Sequence, residues 1–201
     1  MKTFLNTIKN SVIATIFMAI ILGGIYPLAV WAVSLVLFPH QANGSLITNS
    51  QGKIIGSELI GQQFTGAQYF QSRPSAAGNG YDPTSSGGSN LGPTSKKLND
   101  QIAQRVTDYR QENNLAANAE VPADAVTASA SGLDPEISLQ NAQIQIVRVA
   151  KARKIDIAKI QPLVDKNTVQ RSLGIFGEPG VNVLTLNIDL DNTFPVNNGK
   201  P

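Results

Sequence analysis

Residues 12–38, VIATIFMAIILGGIYPLAVWAVSLVLF, contain no charged side chain. As a helix rising about 1.5 Å per residue, this run would reach about 40 Å, more than the roughly 30 Å hydrocarbon core of a bilayer. Gly23, Gly24 and Pro27 weaken a helix in water, but in lipid neighbouring groups repair the backbone around them. Ala19 and Gly23 form a small-xxx-small pair. Such a pair either lets another helix approach closely or reflects the general abundance of small residues in membrane helices. A cleaved secretory signal is the competing reading. Its apolar region is roughly 7–15 residues long and ends at a small-residue cleavage site. The run here is about twice that length and has no Ala-x-Ala, so the expectation is an uncleaved anchor.

The flanks of the span give its expected orientation. Lys2 and Lys9 precede it, and no Asp, Glu, Lys or Arg occurs from Asn10 to Gly52. The positive-inside bias then places residues 1–11 in the cytoplasm, the helix at 12–38 in the membrane, and 39–201 outside as an extracytoplasmic, periplasmic domain. About 160 residues remain for that domain, enough for a single hydrophobic core.

Composition narrows the function. The net charge is +2 with 15% charged residues, too weak a basic balance for a nucleic-acid binder. The absence of cysteine rules out disulfides and thiolate metal sites. The sole histidine, His40, adjoins the expected membrane exit, so a Ser-His-Asp or Cys-His arrangement in the outer domain lacks its base. No metal-ligand spacing is present, and no catalytic residue is assigned.

The outer domain reads as α+β, a short antiparallel sheet with about three helices. Apolar runs on either side of Asn49-Ser50-Gln51-Gly52 predict a β-hairpin. In VNVLTLNIDL, Leu184, Leu186, Ile188 and Leu190 alternate with polar residues, the period of a half-buried strand, expected to pair with that hairpin. Leu98, Ile102, Val106 and Tyr109 make one helical stripe behind a Thr94 or Ser95 cap. Behind Ser138, Leu139, Ala142, Ile146, Val147 and Ala150 make another, although Gln143 to Ile146 equally suits a strand. A third short helix is expected from Asp156 to Val164, limited by Pro162. Two long tracts, 71–94 and 112–137, are rich in Gly, Pro, Ser, Asn and Ala. The first, with Arg73, Tyr81 and Leu91, is expected to be an ordered loop.

SSGGSNLGPTSKK, residues 85–97, is a Gly-rich tract running into a helix start, the arrangement that holds anions through unpaired backbone amides. A P-loop needs Gly-Lys-[Ser/Thr]. Here Pro93 follows Gly92, and Lys96 comes four positions after that glycine. Asp134-Pro135-Glu136 sets two carboxylates close together, but Asp before Pro more often initiates a turn.

The ordered stretches GSLI, IGSELIGQQF, YFQSRPSA, YDPTSSGGSNLGPTSKKL, VTASASGLDPEIS, RVAKAR and GEPGVNVLTLNIDLD, following the single span, closely resemble the KdpC family, C subunits of bacterial potassium-transporting P-type ATPases. The resemblance covers almost the whole chain. It implies a non-catalytic accessory subunit of the inner membrane, with a channel-like potassium-binding subunit, a P-type ATPase subunit and a small membrane subunit as partners. Potassium would be the transported ion, and ATP would be hydrolysed by a partner subunit. The family is described as a catalytic chaperone that raises the pump's ATP affinity. The expected topology argues against direct ATP contact and for indirect coupling. TASASG stands where TASGSG is expected, and Glu136 where members often carry His. Partner-facing or loop-shaping roles are expected for Arg73, Pro74, Ser75, the loop Ser86, Gly87, Gly88, Ser89, Asn90, Leu91, Gly92, and for Gly132, Leu133, Asp134 and Pro135. The alternatives are direct nucleotide binding by 85–97 and a free-standing anchored binding domain.

Overall fold

The computed structural model describes residues 1–49 and 51–195. The chain divides into two compact units, Met1–Ile55 and the part beginning at Gly56.

In the first unit the uncharged run lies in a helix from Lys2 to Leu37, with an 18-residue window of mean hydropathy 2.2 and none of that window buried. Among the described residues this is the one helix long and apolar enough to cross a membrane. It comprises α1 (Lys2–Ile20), a π turn at Ile21–Ile25 and α2 (Tyr26–Leu37). The π turn coincides with Gly23-Gly24 and precedes Pro27, the residue types around which a helical ladder loosens. Gly23 thus lies inside the π turn and Ala19 in regular helix before it. A one-turn helix, α3 (Pro39–Ala42), carries His40. The predicted hairpin follows as β1 (Leu46–Thr48) and β2 (Ile54–Ser57), a sheet of its own whose second strand spans the division between the units. Asn49 shapes the turn: its Oδ1 accepts from the N–H groups of Gln51 and Lys53 at 3.0 and 2.9 Å. Ser50 lies outside the described residues.

The second unit is α+β. Its helices are α4 (Lys96–Glu112), the one-turn α5 (Ala123–Val126), α6 (Leu139–Arg153), α7 (Ile157–Lys166) and α8 (Val183–Thr193). Side chains of Ser95, Ser138 and Asp156 cap α4, α6 and α7, accepting from backbone N–H groups in the first turn. Pro162 sits inside α7 rather than ending it, at the loss of one backbone bond that proline cannot donate. Three short strands, β3 (Glu136–Ser138), β4 (Thr168–Val169) and β5 (Gly180–Asn182), form an antiparallel sheet in the order β3-β5-β4, with Ile137 opposite Val181. The sheet and α6, α7 and α8 enclose one core that includes Phe70, Ile137, Ile146, Val149, Ile160, Val164, Val181, Leu186 and Leu190. On α6 the core takes Val149, while Val147 and Leu139 remain exposed.

The strand expected over Leu184–Leu190 is instead α8, and it does not join the hairpin. Val183, Leu186, Asn187 and Leu190 are buried, spaced as one helical face. A polar residue on that face hid the period. Asn187 Oδ1 accepts from the Phe70 N–H at 2.9 Å, and its Nδ2 donates to the Phe70 carbonyl at 2.8 Å, so the amide clasps irregular backbone inside the core.

Candidate functional site

The long irregular tracts of the second unit close on one another. Arg73 Nη1 donates to Asp134 Oδ2 at 2.7 Å. Ser75 Oγ donates to the Gly132 carbonyl at 2.6 Å and accepts from the N–H groups of Ala77 and Tyr81. Gly87 N–H donates to the Ser131 carbonyl at 2.8 Å, and Ser86 Oγ donates to the same oxygen at 3.0 Å. Gly61 N–H reaches the Leu133 carbonyl at 2.8 Å. Arg73 and Ser75, the 86–87 corner, and 131–134 therefore form a single loop junction built from segments far apart in sequence.

Local chemistry explains why this backbone holds its shape. Asp134 Oδ1 accepts from the Glu136 N–H at 3.0 Å, which bends the chain over Pro135 as an Asx turn. Gly132 has φ +68°, and a Cβ there would lie 2.7 Å from both the Ala77 nitrogen and the Gly87 carbonyl oxygen. Only glycine fits such a crossing. A Cβ on Gly88 would stand 3.1 Å from the Ala130 carbonyl, so it too packs on the 128–132 segment. Tyr81 Oη donates to the Arg73 carbonyl at 2.7 Å, and burial pushes its phenol up to about 12. Ser89, Asn90 and Gly92 lie outside the junction and are exposed; Leu91 is half-buried. Asn90 adopts φ +52°.

At the junction an open groove is lined by Leu59, Ile60, Arg73, Ala128 to Ser131 and Leu133 to Pro135. A separate cavity of about 390 Å³ is lined by Arg73, Tyr81, Arg105, Asp108 and Glu112 together with apolar Phe64, Pro74 and Ala125, with the buried Asn141 and Gln145 in its wall. Arg73 borders both, and its Nε is buried with no hydrogen-bond partner.

Behind the cavity lies a polar network that the sequence reading missed. Gln145 Oε1 accepts from the Gln71 N–H and from Arg148 Nη2, both at 2.7 Å. Its Nε2 donates to the Gln71 carbonyl and to Asn141 Oδ1. Asn141 Oδ1 also accepts from Tyr109 Oη at 2.8 Å, and Asn141 Nδ2 donates to Asp124. Arg148, buried, donates to the carbonyls of Ala67 and Tyr69 and to Asn113 Oδ1. Burial depresses the Arg148 guanidinium below its usual range and raises the Tyr109 phenol, Asp124 adding to the latter. The available signal was the spacing of Asn141, Gln145 and Arg148, a polar stripe at i, i+4 and i+7 of α6 beside the apolar Ala142, Ile146 and Val149. Buried polar groups of this kind are kept when they are hydrogen-bonded, and here they tie irregular chain to α6.

In the Gly-rich tract, Gly87, one of the amides a phosphate would need, is bonded to Ser131, and Lys96 pairs with Asp100 at 2.7 Å. Among the described residues no group of three or more His, Asp or Glu side chains is placed to hold a metal ion.

The family model for the C chain of K⁺-transporting ATPases, KdpC, matches residues 8–192. A potassium-transporting ATPase KdpC subunit from Mycobacterium tuberculosis (strain H37Rv) is 55% identical over 172 residues, 86% of this chain and 90% of the relative. The subunit of that name from Rhodospirillum rubrum is 50% identical over 192 residues, 96% and 98% of the two chains. That from Koribacter versatilis is 47% identical over 187 residues, 93% and 95%.

Proposed function

This chain belongs to the KdpC family, C subunits of K⁺-transporting ATPases, and from that premise we propose that it is a non-catalytic assembly subunit whose loop junction docks on its partners. The observation that carries the proposal is the convergence of Arg73, Ser75, Ser86, Gly87, Gly132 and Asp134 into one hydrogen-bonded surface. A preshaped surface lowers the ordering cost of association.

The proposed partners are the channel-like potassium-binding subunit, the P-type ATPase subunit and the small membrane subunit. The apolar helix anchors the chain beside them in the bacterial plasma membrane. Lys2 and Lys9 before the span, against the uncharged stretch after it, support a cytoplasmic N-terminus and an outer second unit. In that topology the chain raises the pump's ATP affinity by stabilising one conformer of the complex, because a coupling free energy needs no contact with the nucleotide. The hydrogen bond from the Gly87 N–H to the Ser131 carbonyl and the Lys96–Asp100 pair favour this reading over an ATP cradle at 85–97.

The test is co-purification. The tagged full-length chain is expected to retain the other subunits and support ATP-driven potassium uptake. A chain truncated after Ile55 is expected to lose both, and intact assembly and transport by that truncated chain would overturn the proposal. An alkaline phosphatase fused to the C-terminus is expected to be active; an inactive fusion would reverse the topology.

A further inference from the structure

Between β4 and β5 the chain makes a tight hairpin whose apolar tip serves no part of the core. Ser172 N–H donates to the Phe176 carbonyl at 2.9 Å, and Phe176 N–H returns the bond to Ser172 at 3.0 Å. The turn is closed by Leu173 at φ +54°, with Gly174 and Gly177 at +76° and +81°. Two of these positions carry the residue that such angles favour. Leucine at the third is an outlier, since its Cβ crowds the following carbonyl. Leu173 is nonetheless 89% exposed, with Ile175 at 69% and Phe176 at 61%. No buried contact compensates the strained leucine within the domain. Backbone strain held at an exposed apolar tip points to a use outside it.

We propose that the 173–176 tip seats in an uncharged apolar recess on another protein subunit of the transporter. This rests on the reading of the chain as an assembly subunit. Charge and shape select the occupant. At the neck Arg171 Nη2 donates to Glu178, so the flanking cation is already neutralised, and the tip itself carries no charge. Loops that enter anionic lipid keep free cations beside their apolar residues. A fluid surface also has no need of a fixed hairpin, whereas a protein pocket binds a preshaped one at lower ordering cost. A second copy of the chain offers the groove at Leu59, Ile60 and Leu133, but Arg73, Asp134, Ser129 and Ser131 also line it, polar groups that an apolar tip would desolvate without giving them partners.

The experiment places a benzoylphenylalanine photocrosslinker at position 173 of the full-length chain, co-expressed with the other subunits in membranes. The expected product is a crosslink to another transporter subunit, mapped to an apolar stretch by peptide mass spectrometry. The triple variant Leu173→Ser, Ile175→Ser, Phe176→Ser is expected to weaken co-purification on the order of tenfold or more. Its melting temperature should stay within about 2 °C of the parent, because the replaced side chains are exposed. Crosslinks confined to lipid or to a second copy, or undiminished co-purification of the triple variant, would overturn the inference. If truncation after Ile55 abolishes assembly while position 173 crosslinks to no subunit, the tip alone is refuted. If assembly survives that truncation, the assembly reading falls with it.

Discussion

Arg73 Nη1 stands 2.7 Å from Asp134 Oδ2, a bond between positions 61 residues apart that joins the two longest irregular tracts of the domain. Both side chains are partly exposed, at 22% and 29%, so the pair is neither a solvated surface contact nor a deeply buried one. Asp134 also accepts from the Glu136 N–H. Asp134→Ala is therefore expected to destabilise by roughly 1–3 kcal/mol, and Arg73→Ala by somewhat less. A double-mutant cycle read by thermal unfolding should return a coupling of about 1 kcal/mol. Strictly additive losses would show that the two groups do not act as a pair.

Gly132 and Gly92 belong to loops of similar composition but different geometry. At Gly132, φ is +68° and a Cβ would stand 2.7 Å from backbone atoms of Ala77 and Gly87; at Gly92 nothing lies within 4 Å. Backbone atoms cannot swing aside as a long side chain can. Gly132→Ala is expected to cost about 2 kcal/mol or more and to weaken subunit co-purification. Gly92→Ala is expected to be within about 0.5 kcal/mol of neutral or slightly stabilising. Equal melting temperatures for the two variants would remove the crossing at Gly132 from the account.

These two loops illustrate what was legible in the chain before folding. Helix start signals are local: Ser138 caps α6 as expected, Ser95 rather than Thr94 caps α4, and the helix expected to begin near Asp156 takes that side chain as its cap. The uncharged run likewise needs no tertiary partner to be recognised. The loop residues could be nominated from motifs, but their meeting depends on bonds such as Ser75 to Gly132, which no local pattern encodes. Gln145 and Arg148 escaped notice because a period search counts a polar residue as a solvent face. Here each is buried and satisfied by backbone from residues 67–71. The same blindness turned α8 into an expected strand, since Asn187 interrupts its buried face.

Asn187 also separates pattern from structure experimentally. By pattern, Asn187→Leu completes an apolar helical stripe and should stabilise. In the fold it strips the Phe70 N–H and carbonyl of partners at 2.9 and 2.8 Å, in a place where Phe70 is fully buried. Each orphaned backbone group costs roughly 1–3 kcal/mol, more than one leucine side chain returns by burial in a space shaped for an amide. The expected outcome is a loss of about 2–4 kcal/mol in denaturant unfolding. An increase in stability would mean that the Phe70 backbone finds other partners.

Glu136 supplies a test with a pH signature. It sits on β3 opposite Asn182, with Oε2 only 2.8 Å from the point a Cβ on Gly180 would occupy. Burial, and then the neighbouring negative charge of Asp134, raise its carboxyl above the usual glutamate range. A raised pKa means that the folded chain holds this proton more tightly than the unfolded one, so ionisation at this site opposes folding. The penalty is absent below the unfolded value of about 4.3, grows through the interval up to the folded value and is complete above it. Glu136→Gln keeps the shape and removes the charge. It is expected to raise the melting temperature at pH 7–8, with the gain shrinking as the pH falls and vanishing near pH 4. A variant less stable than the parent at pH 8 would show that the carboxylate is held by favourable contacts and that its shift runs the other way.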